Sequence, residues 1–152
     1  MDAPSDLDTL CATTQAAIDQ GRIGQPVFLR CFAQVASDAR ALREAAAAAL
    51  WLAAGWLGGP PTRVTALGGT ERAQLTIAVE FGGGQSAVLG ISGSAAESPH
   101  LEWVLIGNRG TMRYEGSMPG GEPPADAPSV LDAVWRSLDT KEPVEVGKEG
   151  AP

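Results

Sequence analysis

The stretch Ala73-Gln74-Leu75-Thr76-Ile77-Ala78-Val79-Glu80-Phe81 decides the fold. Alternation puts Ala73, Leu75, Ile77, Val79 and Phe81 on one side of a strand and Gln74, Thr76, Ala78 and Glu80 on the other, so one side is built for a core. Gly82-Gly83-Gly84 can supply the positive φ angles of a tight hairpin, and Gln85 to Ser94 returns as a second strand carrying Val88, Leu89 and Ile91. Leu101 to Ile106 then reaches a second hairpin signal, Gly107-Asn108-Arg109-Gly110, and leaves through Thr111 to Tyr114. Four strands in succession predict a meander, which the rest of the chain must cover or extend.

Upstream, Ser5 with Asp6 and Asp8 reads as an N-cap, and Leu7, Leu10, Cys11, Thr14, Ala17 and Ile18 recur at helical spacing as a stripe expected to dock on the sheet. Gly21 ends that helix, and Arg22 to Pro26 turns the chain. Val27 to Val35 reads as a strand with Val27, Leu29, Cys31 and Ala33 on one side and Phe28, Arg30, Phe32 and Gln34 on the other. Apolar bulk on both sides predicts a central strand. Ser37 and Asp38 cap a helix over Ala39 to Leu57, which has no polar face from Ala45 onward and must be buried on more than one side, with Trp51 and Trp56 supplying most of its contact area. Gly58-Gly59-Pro60-Pro61 stops it. Arg63 to Leu67 resumes as an extended segment, and Gly68 to Glu71 turns into the meander. Glu115 to Ser129, rich in proline and glycine, reads as a loop. Ser129 caps a last helix with Val130, Leu131, Val134, Trp135 and Leu138 in one stripe, followed by an extended Val144-Glu145-Val146 and a frayed tail.

These elements predict an α+β domain over residues 1–152: an open, mostly antiparallel sheet with helices on one face and the other face available for oligomerisation. The structured core spans residues 5–146, with a flexible loop at 115–128 and a tail at 147–152. At 152 residues and 44% hydrophobic content the chain can bury one complete core. A formal net charge of −7 disfavours nucleic acid and anionic lipid as partners. Cys11 and Cys31 read as reduced thiols, and no zinc spacing is present. The acidic N-terminus lacks the features of a secretory signal, and the charge-free run from Ala45 to Leu57 is too short to span a bilayer, so the expected location is the cytoplasm.

Several motifs, in order, resemble one family. Ala16-Ala17-Ile18-Asp19-Gln20-Gly21-Arg22-Ile23-Gly24-Gln25-Pro26-Val27, Trp56 to Val64, Gly82 to Gly90, Ile106-Gly107-Asn108-Arg109-Gly110-Thr111-Met112 and Leu131 to Val146 are similar to segments of the C-terminal domain of the glucose-fructose oxidoreductase, inositol dehydrogenase and rhizopine-catabolism oxidoreductase family. The resemblance spans Leu10 to Val146. It implies an open sheet whose uncovered face builds an oligomer interface and contributes to a substrate site. Bacterial-type homodimerisation, or association with a full-length oxidoreductase, is the partner expected.

The family's nucleotide-binding domain, with its Gly-rich turn and its lysine motif, has no counterpart here, so no NAD(P) or other cofactor is expected. Gly82-Gly83-Gly84 lies between strands, the wrong context for a pyrophosphate. Where the family carries a His and, three residues on, an Asp in the long helix, this chain has Ala48 and Trp51, neither of which exchanges protons. No catalytic residue and no metal ligand is therefore assigned. Arg30 and Gln34, on an aromatic strand face, are candidates to bind a carboxylate or hydroxyls of a small-molecule ligand. Gln74, Trp103 and the lone His100 are candidates for the same surface. Arg30 could instead pair with Glu80 across the sheet. The expected role is a non-catalytic binding or interaction module. The alternative is a cofactor-independent isomerase, cyclase or dehydratase reusing the pocket.

Overall fold

The computed structural model describes residues 6–58, 60–69, 73–94, 99–118 and 128–146. Helix α1 (Asp6–Asp19) is followed by β1 (Pro26–Ala36), α2 (Ala39–Leu57), β2 (Pro61–Gly69), β3 (Gln74–Phe81), β4 (Ser86–Ser94), β5 (His100–Gly107), β6 (Thr111–Ser117), α3 (Pro128–Thr140) and β7 (Val144–Glu145). The seven strands form one mixed, mostly antiparallel sheet in the order β6-β5-β1-β4-β3-β2-β7. An α+β fold with an open sheet is therefore present. The cap assigned to Ser5, much of the loop and the tail lie outside the described residues.

The expected meander is corrected in one decisive respect. The hairpins β3–β4 and β5–β6 both form, but β1 inserts between β4 and β5, parallel to the first and antiparallel to the second. The physical reason is the two-sided apolar character of β1. It places Leu29, Cys31, Ala33 and Val35 in the core while Phe28 and Phe32 are half-buried on the opposite side, so it needs a neighbour along each edge. A gap of two strand spacings, roughly 10 Å, separates β4 from β5. Val27, expected on the inward side, is instead 42% exposed beside an irregularity in the β1–β5 register.

The inward side of the sheet carries Leu75, Ile77, Val79 and Phe81 of β3, as alternation demands, but Ala73 precedes the strand with φ 52° and belongs to the turn. Of the three hairpin glycines only Gly84 adopts positive φ, at 92°, where its N–H donates to the Phe81 carbonyl at 3.1 Å. The second hairpin is built more tightly than its sequence signal implies. Asn108 N–H donates to the Gln25 carbonyl at 3.0 Å, the Gln25 N–H donates to Asn108 Oδ1 at 2.9 Å, and Arg109 N–H donates to the Ile23 carbonyl at 2.8 Å. The β5–β6 turn is thus clamped to the approach to β1. Gly24, at φ 74°, leaves no room for a Cβ, which would strike Asn108 Oδ1.

Helix α2 begins and ends as its sequence directs: Asp38 accepts from Ala41 N–H at 2.8 Å, and Gly58 takes a left-handed conformation. It packs over β1 and β4, and its all-round apolar surface is explained by a second neighbour, α1. The expectation that α1 docks on the sheet is corrected accordingly. Its buried Leu7, Thr14 and Ala17 belong to a helix that packs chiefly on α2, where Trp56 Nε1 donates to the Cys11 carbonyl at 3.4 Å. The inward strand residues, α2, Leu7 and the α3 residues Val130, Ala133 and Val134 form one continuous core.

Helix α3 starts at Pro128, one residue ahead of the cap assigned to Ser129, and β6 runs on to Ser117, so the segment expected as loop is shortened at both ends. Its buried line is Val130, Ala133, Val134 and Ser137, with Leu131, Trp135 and Leu138 flanking it. Ser137 was not anticipated. Strand β2 meets β7 only at Arg63 and Val64, and just beyond, Ser137 Oγ accepts from the Ala66 N–H at 2.8 Å and donates to the Glu142 carbonyl at 2.7 Å. The hydroxyl replaces a strand partner and blunts an open edge. Ser137→Ala strands a buried N–H, and a loss of about 1–3 kcal/mol is expected from its urea midpoint relative to wild type.

Candidate functional site

The side of the sheet away from the core is where the sequence-assigned polar residues collect. Strand pairing aligns Ser117, His100, Gln34, Ser92 and Gln74 in one row across five strands. The neighbouring row holds Glu115, Glu102, Phe32, Gly90, Thr76 and Leu67, and the next holds Arg113, Val104, Arg30, Val88, Ala78 and Thr65. Gly90 is required at its place, because a Cβ there would come within 2.5 Å of the Phe32 ring. With the ring lying across β4, two concavities form on either side of it. One of about 250 Å³ is bordered by Gln34, Ser92 and His100; the other, of about 290 Å³, by Arg30, Arg113 and Glu115, and Phe32 and Glu102 border both.

Of the five residues assigned from sequence, Gln34 and His100 are brought together as direct cross-strand partners in one cleft. Gln74 lies in the same row two strands further on, where its Nε2 donates to Thr76 Oγ1 at 2.7 Å. Arg30 shares their face but borders the other cleft, and the proposed pairing with Glu80 does not form. Glu80 faces Arg63 at 3.6 Å, while the Arg30 guanidinium lies over the Phe32 ring, 4.7 Å from its centroid. Trp103 is the clearest correction. Its register partner is Cys31, on the core side, and it is only 3% exposed, with its ring 4.6 Å from Trp56 and 5.9 Å from Tyr114. It borders the larger cleft, yet its indole N–H has no hydrogen-bond partner. Alternation counted from His100 would have placed it there.

Three residues that sequence reasoning passed over complete the surface. Glu102 stands two positions after His100 on the same strand face, a spacing legible in the sequence. Glu115 and Arg113 join through the β5–β6 register, which only the structure fixes. His100 Nε2 lies 3.7 Å from Glu115 Oε1.

On the core side, Ala48 is buried in α2 and Trp51 is half-buried. Burial pushes the Cys31 thiol up from 9.0 to about 12, and burial also raises the Cys11 thiol, against a lowering hydrogen bond from Trp56 and with a smaller push from Asp8. Both cysteines are free. No described helix is long and apolar enough to cross a membrane.

No family model matches the chain, and no curated protein matches it. Solved structures do. A probable dehydrogenase from Thermotoga maritima superposes with a TM-score of 0.74 at 16% identity, over 91% of this chain and 62% of that one. Myo-inositol dehydrogenase from Corynebacterium glutamicum gives 0.71 at 12% identity, over 91% and 62%. Scyllo-inositol dehydrogenase from Lactobacillus casei, determined with NAD(H) and scyllo-inositol, gives 0.70 at 12% identity, over 89% and 61%. The chain therefore shares its fold with these dehydrogenases and spans about three-fifths of their length. Two of the three are inositol dehydrogenases, and the likeness is one of fold.

Cys31 provides a check on the core side of β1. Its folded-state value lies above the unfolded one, so its contribution is complete below about pH 9 and is lost as pH climbs toward about 12. Wild type should therefore lose stability relative to Cys31→Ala as pH is raised from about 9 toward about 12, read as the difference in their urea midpoints.

Proposed function

We propose that this chain is a non-catalytic contact module of the oxidoreductase type, using the open sheet face to bind a second copy of itself. The observation that carries this reading is the composition of that face. Phe28, Phe32, Val88 and Val104 sit half-buried at its middle with Leu67 and Ile106 exposed beyond them, while the ion pair Arg63–Glu80 and the contact of His100 with Glu115 lie toward its margins. An apolar middle inside a polar rim is the anatomy of a protein interface. Both signs of charge occur on the rim, so a two-fold apposition can set each residue against an opposite one. A full-length oxidoreductase presenting the same kind of face is the other partner this surface fits. Ala48 and Trp51, at the helix positions where the resemblance places a proton-transfer pair, support a role in contact and ligand binding over redox turnover.

A second reading is favoured by one observation, the facing of Gln34 and His100 in a cleft. A cofactor-independent isomerase, cyclase or dehydratase would work there, and alanine at Arg30, Gln34 or His100 would abolish its turnover without changing the oligomeric state.

Light scattering at micromolar concentration should give twice the mass of one chain. Val88→Glu with Val104→Glu puts two charges per chain into the middle of the interface, and the dimer should weaken by at least about tenfold, or ~1.4 kcal/mol, with the far-ultraviolet dichroism unchanged. A monodisperse monomer for the wild-type chain would overturn the proposal.

A further inference from the structure

We infer that His100, Glu102 and Glu115 form a binding site for a divalent cation of the zinc, cobalt or nickel type. Alternation puts His100 and Glu102 on one face of β5, and the register sets Glu115 of β6 directly opposite Glu102. One donor atom from each of the three lies within 4.8 Å of the others, and His100 Nε2 is 3.7 Å from Glu115 Oε1. Four-coordinate zinc with bonds of about 2.1 Å holds its donors about 3.4 Å apart, so small side-chain rotations close the set. The side chains of His100 and Glu115 are 41% and 73% exposed and free to make them.

Two further observations point to a cation here. Like charges directly opposite on an antiparallel pair repel. Yet among the described residues neither Glu102 nor Glu115 forms an ion pair with a lysine or arginine, Glu115 meeting only His100. Arg30 borders the same cleft, but its guanidinium is turned over Phe32. An ion between the carboxylates would remove the repulsion. The three residues also stand where the two clefts adjoin, with Glu102 bordering both, Glu115 one and His100 the other. An ion held from the sheet side keeps coordination positions open toward the clefts, for water or for a small oxygen-donor ligand. One imidazole with two carboxylates suits borderline ions, whereas magnesium favours an octahedron of oxygens. All three donors come from the β5–β6 pair, and the inference does not depend on how the face meets a partner.

Titrating the full chain with Zn²⁺ by calorimetry, and with Co²⁺ by absorption, should show one ion per chain, unaffected by millimolar Mg²⁺. H100A, E102Q and E115Q should each weaken binding at least about tenfold, E44Q on α2 should leave it unchanged, and E102Q should raise the metal-free melting temperature by removing the opposed charge. Absence of saturable binding would overturn the inference, as would stoichiometric binding that survives all three substitutions.

Discussion

The double engagement of β1 is the constraint on which the rest of the structure depends. Its left edge pairs with β5 and its right edge with β4, and its core side carries Leu29, Cys31, Ala33 and Val35 beneath α2. A strand paired on both edges and apolar on both faces has one stable place, the interior of a sheet. Putting it there forces the two hairpins apart, because β1 occupies the position in which a continuous meander would have paired β4 with β5. Among the described residues the β1–β4 pair is the only parallel one in an otherwise antiparallel sheet, and it follows from that insertion.

The same insertion makes the candidate site. Because β5 lies against β1, His100 and Glu102 stand beside Gln34 and Phe32, and the Phe32 ring, lying on Gly90, divides the surface into two clefts. The clamp between Asn108 and Gln25 holds the far end of β5 against the start of β1. Register along the pair is then anchored at one end by backbone hydrogen bonds and elsewhere by the buried alternation of Leu101, Trp103 and Leu105. A slip of one residue would turn Trp103 and Leu105 outward and bury Glu102, at a cost no surface contact could offset.

The helices divide the remaining work. Helix α2 covers β1 and β4, α1 covers α2, and α3 covers β2 while its Ser137 closes the strand edge that the short β7 leaves open. The run from Ala45 to Leu57 is apolar all round because it lies between a sheet and another helix. Arg43 at its more polar end reaches the Trp135 ring at 5.3 Å, linking α2 to α3 across the layer.

Sequence by itself determined most of the elements and the inward face of β3. The bounds of α2 were legible in Asp38 and Gly58, the inward set of β3 in its alternation, the two-sidedness of β1 in its aromatic and aliphatic bulk, and the family likeness in the order of its motifs. These are properties of neighbouring residues, fixed by backbone sterics and by which side chains leave water. Only the tertiary structure decided that β1 separates the hairpins, that α1 rests on α2 and that Glu115 stands against Glu102. Each of these depends on which distant segments pair. That choice is settled by the total burial and hydrogen bonding of the whole sheet, to which no local stretch holds the key.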